Sequence, residues 1–228
     1  MSSSGPAVPC RHGRALVDRR HGAPPVTRAE ATRGRLLEAS LVVFGRKGVH
    51  ETRVDDICDA AGVARATFYR HFDGKAEVFA ALHSAMSEEI LRTARDLEPV
   101  GPDVAGLRTL RTFVACLLAM NEHWAPVISS LSAGNDVGPG IRQRSIELTE
   151  EFSREVGRRF TEGAVTGVDP AMAALAVVAL VEGVGNQLRT WSLDVDRAEV
   201  IDLLSMQTLM MLHPGLDVGG MRASVVAG

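Results

Sequence analysis

The feature that most constrains this chain is a helical spacing of apolar residues, which continues from residue 27 almost to the end. In the first segment, Leu37, Leu41 and Phe44 recur at intervals of four and three residues, which places them on one face of an α-helix. The segment 170–191 is apolar on nearly all sides, which is typical of a helix that is buried on several faces. No segment alternates between apolar and polar residues for long enough to predict a strand. The fold is therefore predicted to be all-α.

Capping signals and glycines divide this helical pattern into separate elements. Thr27 and Glu30 have the spacing of a capping box, in which each side chain binds an orphan backbone amide at a helix start. Thr52 and Asp55 repeat that spacing and predict the start of a second helix, which Gly62 is expected to end. The first two helices are therefore predicted to begin at these two caps.

Two short helices that meet at this glycine, within residues 53–72, describe a helix-turn-helix. On the second of them, Phe68 and Phe72 lie four residues apart and are expected to anchor the helix to the core. Arg65 and the polar residues after it then project from the opposite side. There a guanidinium can pair with a guanine edge, and hydroxyl groups can donate to phosphates. The pattern favours DNA binding, but small helical proteins also form such corners without touching DNA.

The segment from Leu36 to Phe79, LLEASLVVFGRKGVHETRVDDICDAAGVARATFYRHFDGKAEVF, resembles the DNA-binding domain of the TetR family of one-component repressors. The AGV turn, the FYxHF end of the third helix and the lysine that opens the fourth helix fall at the spacing of that family. The resemblance implies a homodimer that binds a pseudo-palindromic operator and is released from it by a small-molecule effector. It also implies an N-terminal three-helix DNA-binding domain, residues 27–75, followed by a C-terminal helical domain for ligand binding and dimerisation, residues 76–213.

The resemblance assigns roles to individual residues of the helix-turn-helix. The residues that would face base edges are Arg65, Ala66 and Thr67. The residues that would contact phosphates or lie beside them are Thr52, Arg53, Tyr69, Arg70, His71 and Lys75. One position departs from the family pattern, because Ala64 stands where many relatives have Ser or Thr. Alanine cannot cap the helix with a side-chain oxygen, at a typical cost of about 1 kcal/mol.

The C-terminal domain is expected to supply a dimer interface and an effector pocket. The helices at 170–191 and 197–212 are the predicted interface, which would form an intermolecular four-helix bundle. A mainly hydrophobic small molecule is the expected effector. Its predicted pocket residues are Phe113, Leu117, Met120, Trp124, Phe152, Val156, Glu182 and Asn186. Glu182 interrupts an apolar run, so it either pairs, binds a ligand or lies at a rim in water.

The fourth helix is predicted to connect the two functions. Asp73 is expected to cap it, and it runs towards Pro99. It is the only predicted element that continues from the DNA-binding domain into the pocket region, so we expect it to act as the lever.

Charge is divided unevenly along the chain, which has a net charge of −3. Residues 1–80 carry 13 Lys and Arg against nine Asp and Glu, whereas residues 81–228 carry 12 against 19. A basic N-terminal region that faces a polyanion would explain this division, and so would ordinary fluctuation in composition. Residues 1–26 are predicted to be a flexible basic tail that follows nucleic acid or is simply solvated, and residues 214–228 a second flexible tail.

Other classes of protein are disfavoured. The three cysteines share no metal or redox spacing, so we expect no metal and no cofactor. The longest uninterrupted apolar run, residues 171–181, has 11 residues, whereas a membrane span needs about 20. We therefore expect a cytoplasmic protein without a membrane partner. The histidines have no spacing for a triad, which argues against an α-helical enzyme. An activator or an architectural DNA binder without an effector stays open as the alternative.

Overall fold

The computed structural model describes residues 27–132, 139–163 and 167–216, and these residues form nine helices and no strand. The helices are α1 (Arg28–Glu51), α2 (Val54–Ala61), α3 (Arg65–Tyr69), α4 (Lys75–Arg95), α5 (Val104–His123), α6 (Ala125–Ser132), α7 (Pro139–Glu162), α8 (Pro170–Thr190) and α9 (Arg197–Leu212). The predicted all-α fold is confirmed. The predicted tail at 1–26 lies outside the described residues, as does residue 217 onward of the predicted C-terminal tail.

The start of α1 confirms the first predicted cap. The Thr27 hydroxyl accepts from the backbone amide of Glu30 at 3.2 Å, and the Glu30 carboxylate accepts from the Thr27 amide at 2.8 Å. The helical backbone is interrupted at Gly48, which has φ 78°. This is a conformation that side chains disfavour and glycine adopts freely. The helix is therefore kinked at this glycine, and helical residues continue beyond it to Glu51.

The second predicted cap is wrong by one residue. The Thr52 hydroxyl donates to the carbonyl of Gly48 at 2.7 Å, and Thr52 is buried. The hydroxyl therefore lies against the end of α1, and the N-cap of α2 is the next residue. Arg53 is the N-cap instead, and its backbone amide donates to Asp56 at 2.9 Å, so Asp56 and not Asp55 closes the first turn.

The start of α4 also differs from the prediction. The helix begins at Lys75, and the carboxylate of Glu77 reaches back to accept from the Asp73 amide at 2.6 Å. Asp73 therefore supplies a backbone donor at this helix start, where the sequence predicted a side-chain acceptor.

The chain divides into two compact units, each made of segments that are distant in sequence. The N-terminal unit comprises the described residues within 13–89 and 123–146, and the C-terminal unit those within 90–122 and 147–228. The N-terminal unit therefore includes α6, which packs on α1. Gly45 lies at this contact, where an added Cβ would be 3.3 Å from the ring of Pro126.

Aromatic residues form much of the core of the N-terminal unit. Phe44 and Phe79 have ring centroids 6.3 Å apart, and Phe68 and Phe72 have centroids 5.9 Å apart. Trp124, which follows α5, is also buried in this unit, and its indole Nε1 donates to Glu89 at 2.8 Å. The residues that the sequence predicted as anchors of the third helix are therefore in the core.

Helices α5, α7, α8 and α9 supply buried residues of the C-terminal unit. Phe160 of α7, Val177 of α8 and Leu209 of α9 have almost no exposed surface. Arg111 of α5 pairs with Asp202 of α9 at 2.9 Å, with both side chains mostly buried. Paired burial of this kind fixes the register of the two helices, because separating the charges would leave one of them uncompensated.

Two of the described helices are long and apolar enough to cross a membrane, judged by length and composition alone. They are α5 and α8, and isolated polar residues within them explain why the uninterrupted apolar run is shorter. The most apolar stretch of α5 is 61% buried inside the protein, whereas that of α8 is 28% buried. The α5 stretch is therefore a core helix, and α8 keeps an apolar face that the described residues leave largely uncovered.

His83 of α4 is buried, and its ring donates a hydrogen bond to a neighbouring helix. Its Nε2 lies 2.9 Å from the hydroxyl of Ser145 on α7, and that hydroxyl donates to the carbonyl of Ile141 at 3.0 Å. Because the hydroxyl proton is used there, Nε2 donates to the hydroxyl oxygen. Burial, with a smaller contribution from the charge of Arg144, lowers the pKa of the His83 imidazole.

We expect the free energy of unfolding to fall as pH is lowered through the unfolded-state pKa of histidine, about 6.5. The unfolded chain binds the proton more readily than the folded one, so acid favours unfolding. His83→Gln should reduce this loss, measured by chemical denaturation at about pH 7.5 and about pH 5.5. His50→Gln, which removes an exposed imidazole, should not. An unchanged pH dependence in His83→Gln would contradict the assignment.

Candidate nucleic-acid interface

The recognition helix predicted from the sequence is α3, a five-residue helix with one buried and one exposed side. Phe68 is completely buried, and Phe72, just beyond the helix, is nearly so. Arg65, Tyr69 and Arg70 are exposed on the other side, and Tyr69 keeps 46% of its surface. The helix thus presents one guanidinium near its start and a phenol one turn later, which is the arrangement that groove and phosphate contacts need.

Small residues lie beside that guanidinium. Ala66 is exposed and Thr67 is partly exposed, so neither would keep the helix away from a groove. The helix start lacks a side-chain cap at Ala64, as the sequence predicted. The predicted base contacts of these residues stay predictions, although their exposure is compatible with them.

Arg65 is held by neighbours in the free protein. Its Nη1 donates to both carboxylate oxygens of Asp55 on α2, at 2.8 and 3.0 Å. Its Nη2 donates to the Tyr69 hydroxyl at 3.3 Å, and the guanidinium carbon lies 5.6 Å from the centroid of the tyrosine ring. The sequence did not predict Asp55 as a partner of the recognition helix. Its exposed position in the first turn of α2, ten residues before the arginine, was the only available signal.

Two of the predicted phosphate-contacting residues have other interactions in the structure, and a third has a buried ring nitrogen. The Thr52 side chain is buried with its hydroxyl on Gly48. The Lys75 ammonium donates to the carbonyls of His50 and Thr52, the latter at 2.9 Å. The Nε2 atom of His71 is buried and has no hydrogen-bond partner among the described residues. Thr52 and Lys75 support the turn between α1 and α2, and His71 lies at the end of α3. The phosphate contacts of all three stay predictions.

Most of the predicted effector-pocket residues lie in the C-terminal unit. The rings of Phe113 and Phe152 stack with centroids 6.4 Å apart. Leu117, Met120 and Val156 are buried in the same unit. The prediction that Trp124 belongs to this group is not supported, because Trp124 is part of the N-terminal unit and hydrogen-bonds Glu89 there.

The two polar residues predicted for the pocket lie on α8. Glu182 and Asn186 are exposed in the single chain. Partial burial of the Glu182 carboxyl among apolar groups nevertheless raises its pKa. Of the alternatives that the sequence left open for Glu182, the exposed position is the one observed in the single chain.

A cavity of about 340 Å³ lies between the C-terminal end of α4 and the first half of α5. It is lined by Thr93, Asp96, Leu97, Glu98, Arg108, Thr109, Thr112, Phe113 and Cys116. Only Phe113 was predicted from the sequence. The lining includes three threonines, Thr93 of α4 and Thr109 and Thr112 of α5, and no spacing in the sequence relates the first of them to the other two.

Comparison with known proteins places these features in a family context. Residues 36–82 match the family described as bacterial regulatory proteins, tetR family. The chain is 47% identical over 127 residues to TtgW of Pseudomonas putida, an uncharacterized HTH-type transcriptional regulator, covering 54% of this chain and 90% of TtgW. It is 27% identical over 184 residues to the HTH-type transcriptional regulator TtgR of the same species, covering 76% of this chain and 86% of TtgR. Another match, to the probable regulator ArpR of Pseudomonas putida, spans only 38% of that protein.

Solved structures show the same fold. The structure of SmeT, the repressor of the Stenotrophomonas maltophilia multidrug efflux pump SmeDEF, aligns with a TM-score of 0.58 at 23% identity. The alignment covers 84% of this chain and 96% of SmeT. A complex of SmeT with triclosan aligns with a TM-score of 0.59 at 24% identity, over 83% of this chain and 96% of that one.

Lys75→Met should lower the free energy of unfolding by about 1–2 kcal/mol, because two carbonyls lose their ammonium donor. Lys47→Met is the matched control, since it removes the other lysine of the chain, which pairs with Asp56 at the surface. Lys47→Met should lower the free energy of unfolding by less than about 1 kcal/mol, with both variants measured by urea denaturation. Should Lys75→Met leave stability unchanged and lower the salt slope of DNA binding by about one, the lysine contacts phosphate instead.

Proposed function

Because the chain belongs to the TetR family of bacterial transcriptional regulators, we propose that it is a homodimeric repressor. In this proposal it binds a pseudo-palindromic operator in the cytoplasm and is released by a mainly hydrophobic small molecule. Family membership makes the chain a DNA-binding regulator and not an enzyme. The observation that carries the proposal is α3, whose aromatic side is buried while its arginine and tyrosine are exposed.

The DNA contact is proposed to centre on α3 in the major groove. Arg65 would pair with a guanine edge, and Ala66 and Thr67 would lie close to the neighbouring bases. Tyr69 and the exposed Arg70 would contact phosphates, which position the helix without reading sequence. Arg53 is exposed at the start of α2 and would add a further cation.

Dimerisation is proposed through α8 and α9, where the single chain leaves large apolar side chains exposed. They are Met172, Leu175 and Leu180 of α8, and Leu203 and Met210 of α9. Several large apolar side chains exposed on two helices that pack together favour an interface there. Two helices from each subunit would form a four-helix bundle and set the two copies of α3 about 34–36 Å apart, one turn of DNA.

Some residues predicted for this interface have another role in the structure. Ala174 and Leu204 are buried inside the C-terminal unit. A Cβ at Gly185 would come within 2.7 Å of the Asn121 side chain, so this glycine allows contact between α8 and α5. These small and apolar residues pack inside the C-terminal unit. The exposed apolar residues of α8 and α9 named above are the ones proposed to form the dimer interface.

The effector site is proposed to include the cavity between α4 and α5. Its volume of about 340 Å³ lies at the lower end of the range for small-molecule pockets. The SmeT complex with triclosan supports a hydrophobic ligand for a protein of this fold.

The proposed lever is α4, which begins at Lys75 and reaches the cavity at Thr93 and Asp96. Movement of this helix on effector binding would displace α3 from its groove. A coupling free energy of about 1–3 kcal/mol would lower operator affinity roughly 5- to 150-fold.

The proposal is tested by incubating the purified protein with sheared genomic DNA and sequencing the bound fragments. A few fragments that share an inverted repeat are the expected result. Arg65→Ala should still recover DNA but with a relaxed preference within each half-site, because a bidentate guanine contact is lost. Diffuse, salt-sensitive recovery by the native protein would indicate an architectural binder and contradict the proposed repressor.

The dimer interface is tested by Leu203→Glu and Met210→Glu, which place a charge on the exposed face of α9. Both should yield monomers in sedimentation velocity and weaken operator binding, because a charge buried without a partner is costly. Ile146→Glu is the matched control, since Ile146 of α7 is 49% exposed and Met210 is 50% exposed. Variants of α9 that stay dimeric like this control would contradict the interface.

A further inference from the structure

The arginine proposed to read a base has a protein carboxylate as its partner in the free chain. Arg65 Nη1 donates to both oxygens of Asp55, and Arg65 Nη2 donates to the Tyr69 hydroxyl. The guanidinium is therefore held between α2 and the next turn of α3, in an extended position on the exposed side of the helix. Both members of the Arg65–Asp55 pair keep 60% of their side-chain surface, so water and DNA can reach them.

The Asp55 carboxylate is not needed to start its own helix. Asp56 accepts the amide of Arg53 at 2.9 Å and pairs with Lys47 at 2.6 Å, so the neighbouring residue closes the first turn of α2. Asp55 adds a second negative charge at this helix start, where the helix dipole would otherwise favour a phosphate. The Asp55 carboxylate instead accepts hydrogen bonds from the proposed recognition arginine, Arg65.

We propose that Asp55 is a specificity-determining residue, which neutralises Arg65 on DNA that lacks the correct guanine and releases it when that guanine is present. The inference rests on the proposed function, because it requires α3 to read a base. Asp55 acts through Arg65 and needs no contact of its own with a base.

The strength of the pair fits such a competition. Exposed ion pairs contribute little to stability, so the Arg65–Asp55 pair can be broken at small cost. A bidentate arginine–guanine contact discriminates against the wrong base by roughly 5- to 150-fold. The correct guanine therefore replaces Asp55 as the partner of Arg65. On other sequences the pair stays closed, and Arg65 neutralises no phosphate.

The effect on non-specific binding follows from counterion release. Each phosphate that a cation neutralises releases counterions and steepens the dependence of affinity on salt. A closed Arg65–Asp55 pair leaves one cation fewer to neutralise phosphates, and the Asp55 carboxylate repels nearby phosphates. Asp55 should therefore weaken binding to random DNA more than binding to the operator.

The test is Asp55→Asn, with Asp59→Asn as the matched control. Asp59 is exposed on the same helix, and its replacement removes the same charge. The probes are a duplex that the native protein selects from a random library and a random-sequence duplex of equal length. Affinities for both are measured over a range of salt concentrations, and circular dichroism melting verifies that each variant is folded.

Asp55→Asn should bind the random duplex roughly 3- to 10-fold more tightly, with a salt slope steeper by about one. Its affinity for the selected duplex should change by less, so the ratio of the two affinities falls. Asp59→Asn should leave this ratio unchanged. In an Arg65→Gln background, Asp55→Asn should have no more effect on the ratio than Asp59→Asn.

Equal effects of Asp55→Asn and Asp59→Asn on the ratio would overturn the inference and leave the proposed function intact. So would a loss of affinity for the selected duplex alone, since it would mean that Asp55 contacts the operator or only positions Arg65. A native chain that enriches no sequence from the library would overturn the proposed function itself.

Discussion

The surface proposed to face DNA depends on the burial of two phenylalanines. A helix of five residues is too short to be stable by itself in water, so α3 exists because the core binds it. Phe68 is completely buried within α3, and Phe72 follows one turn later with its ring 5.9 Å away. With these rings fixed, the positions of Arg65 and Tyr69 on the opposite side are fixed as well. The exposed chemistry of the site is therefore a consequence of the apolar chemistry beneath it.

Local sequence signals predicted the elements well where a single short-range contact decides them. The Thr27–Glu30 cap and the left-handed turn at Gly62, φ 63°, are both present. The cap of α2 was misassigned because the Thr52 hydroxyl has possible partners in two helices, an amide at the start of α2 and a carbonyl near the end of α1. Thr52 has the right spacing to cap the next helix, but the interruption at Gly48 brings a carbonyl within its reach first. Spacing alone does not reveal which of two nearby partners a side chain will choose.

Contacts between residues far apart in sequence were the main features that the sequence did not predict. The spacing of Phe113, Phe152 and Val156 predicted buried residues correctly, because buried faces repeat with the helical period. Trp124 has the same spacing but follows the end of α5 and packs in the other unit. The packing of α6 on α1 explains this, and it depends on a glycine 81 positions before the proline that it accommodates. No periodicity in either helix indicates such a partner.

The 13 Lys and Arg residues in the first 80 positions overstate the number of cations that are free to attract DNA. Lys47 is paired with Asp56, Arg65 with Asp55, and the Lys75 ammonium binds two carbonyls. Three cations of the N-terminal unit thus already have partners within the protein. When DNA binds, each of these contacts either breaks or stays closed. Electrostatic attraction, which is independent of sequence, is reduced by each pair that stays closed. A regulator that must find one site among many gains from this arrangement, because discrimination depends on the difference between correct and incorrect DNA and not on total affinity.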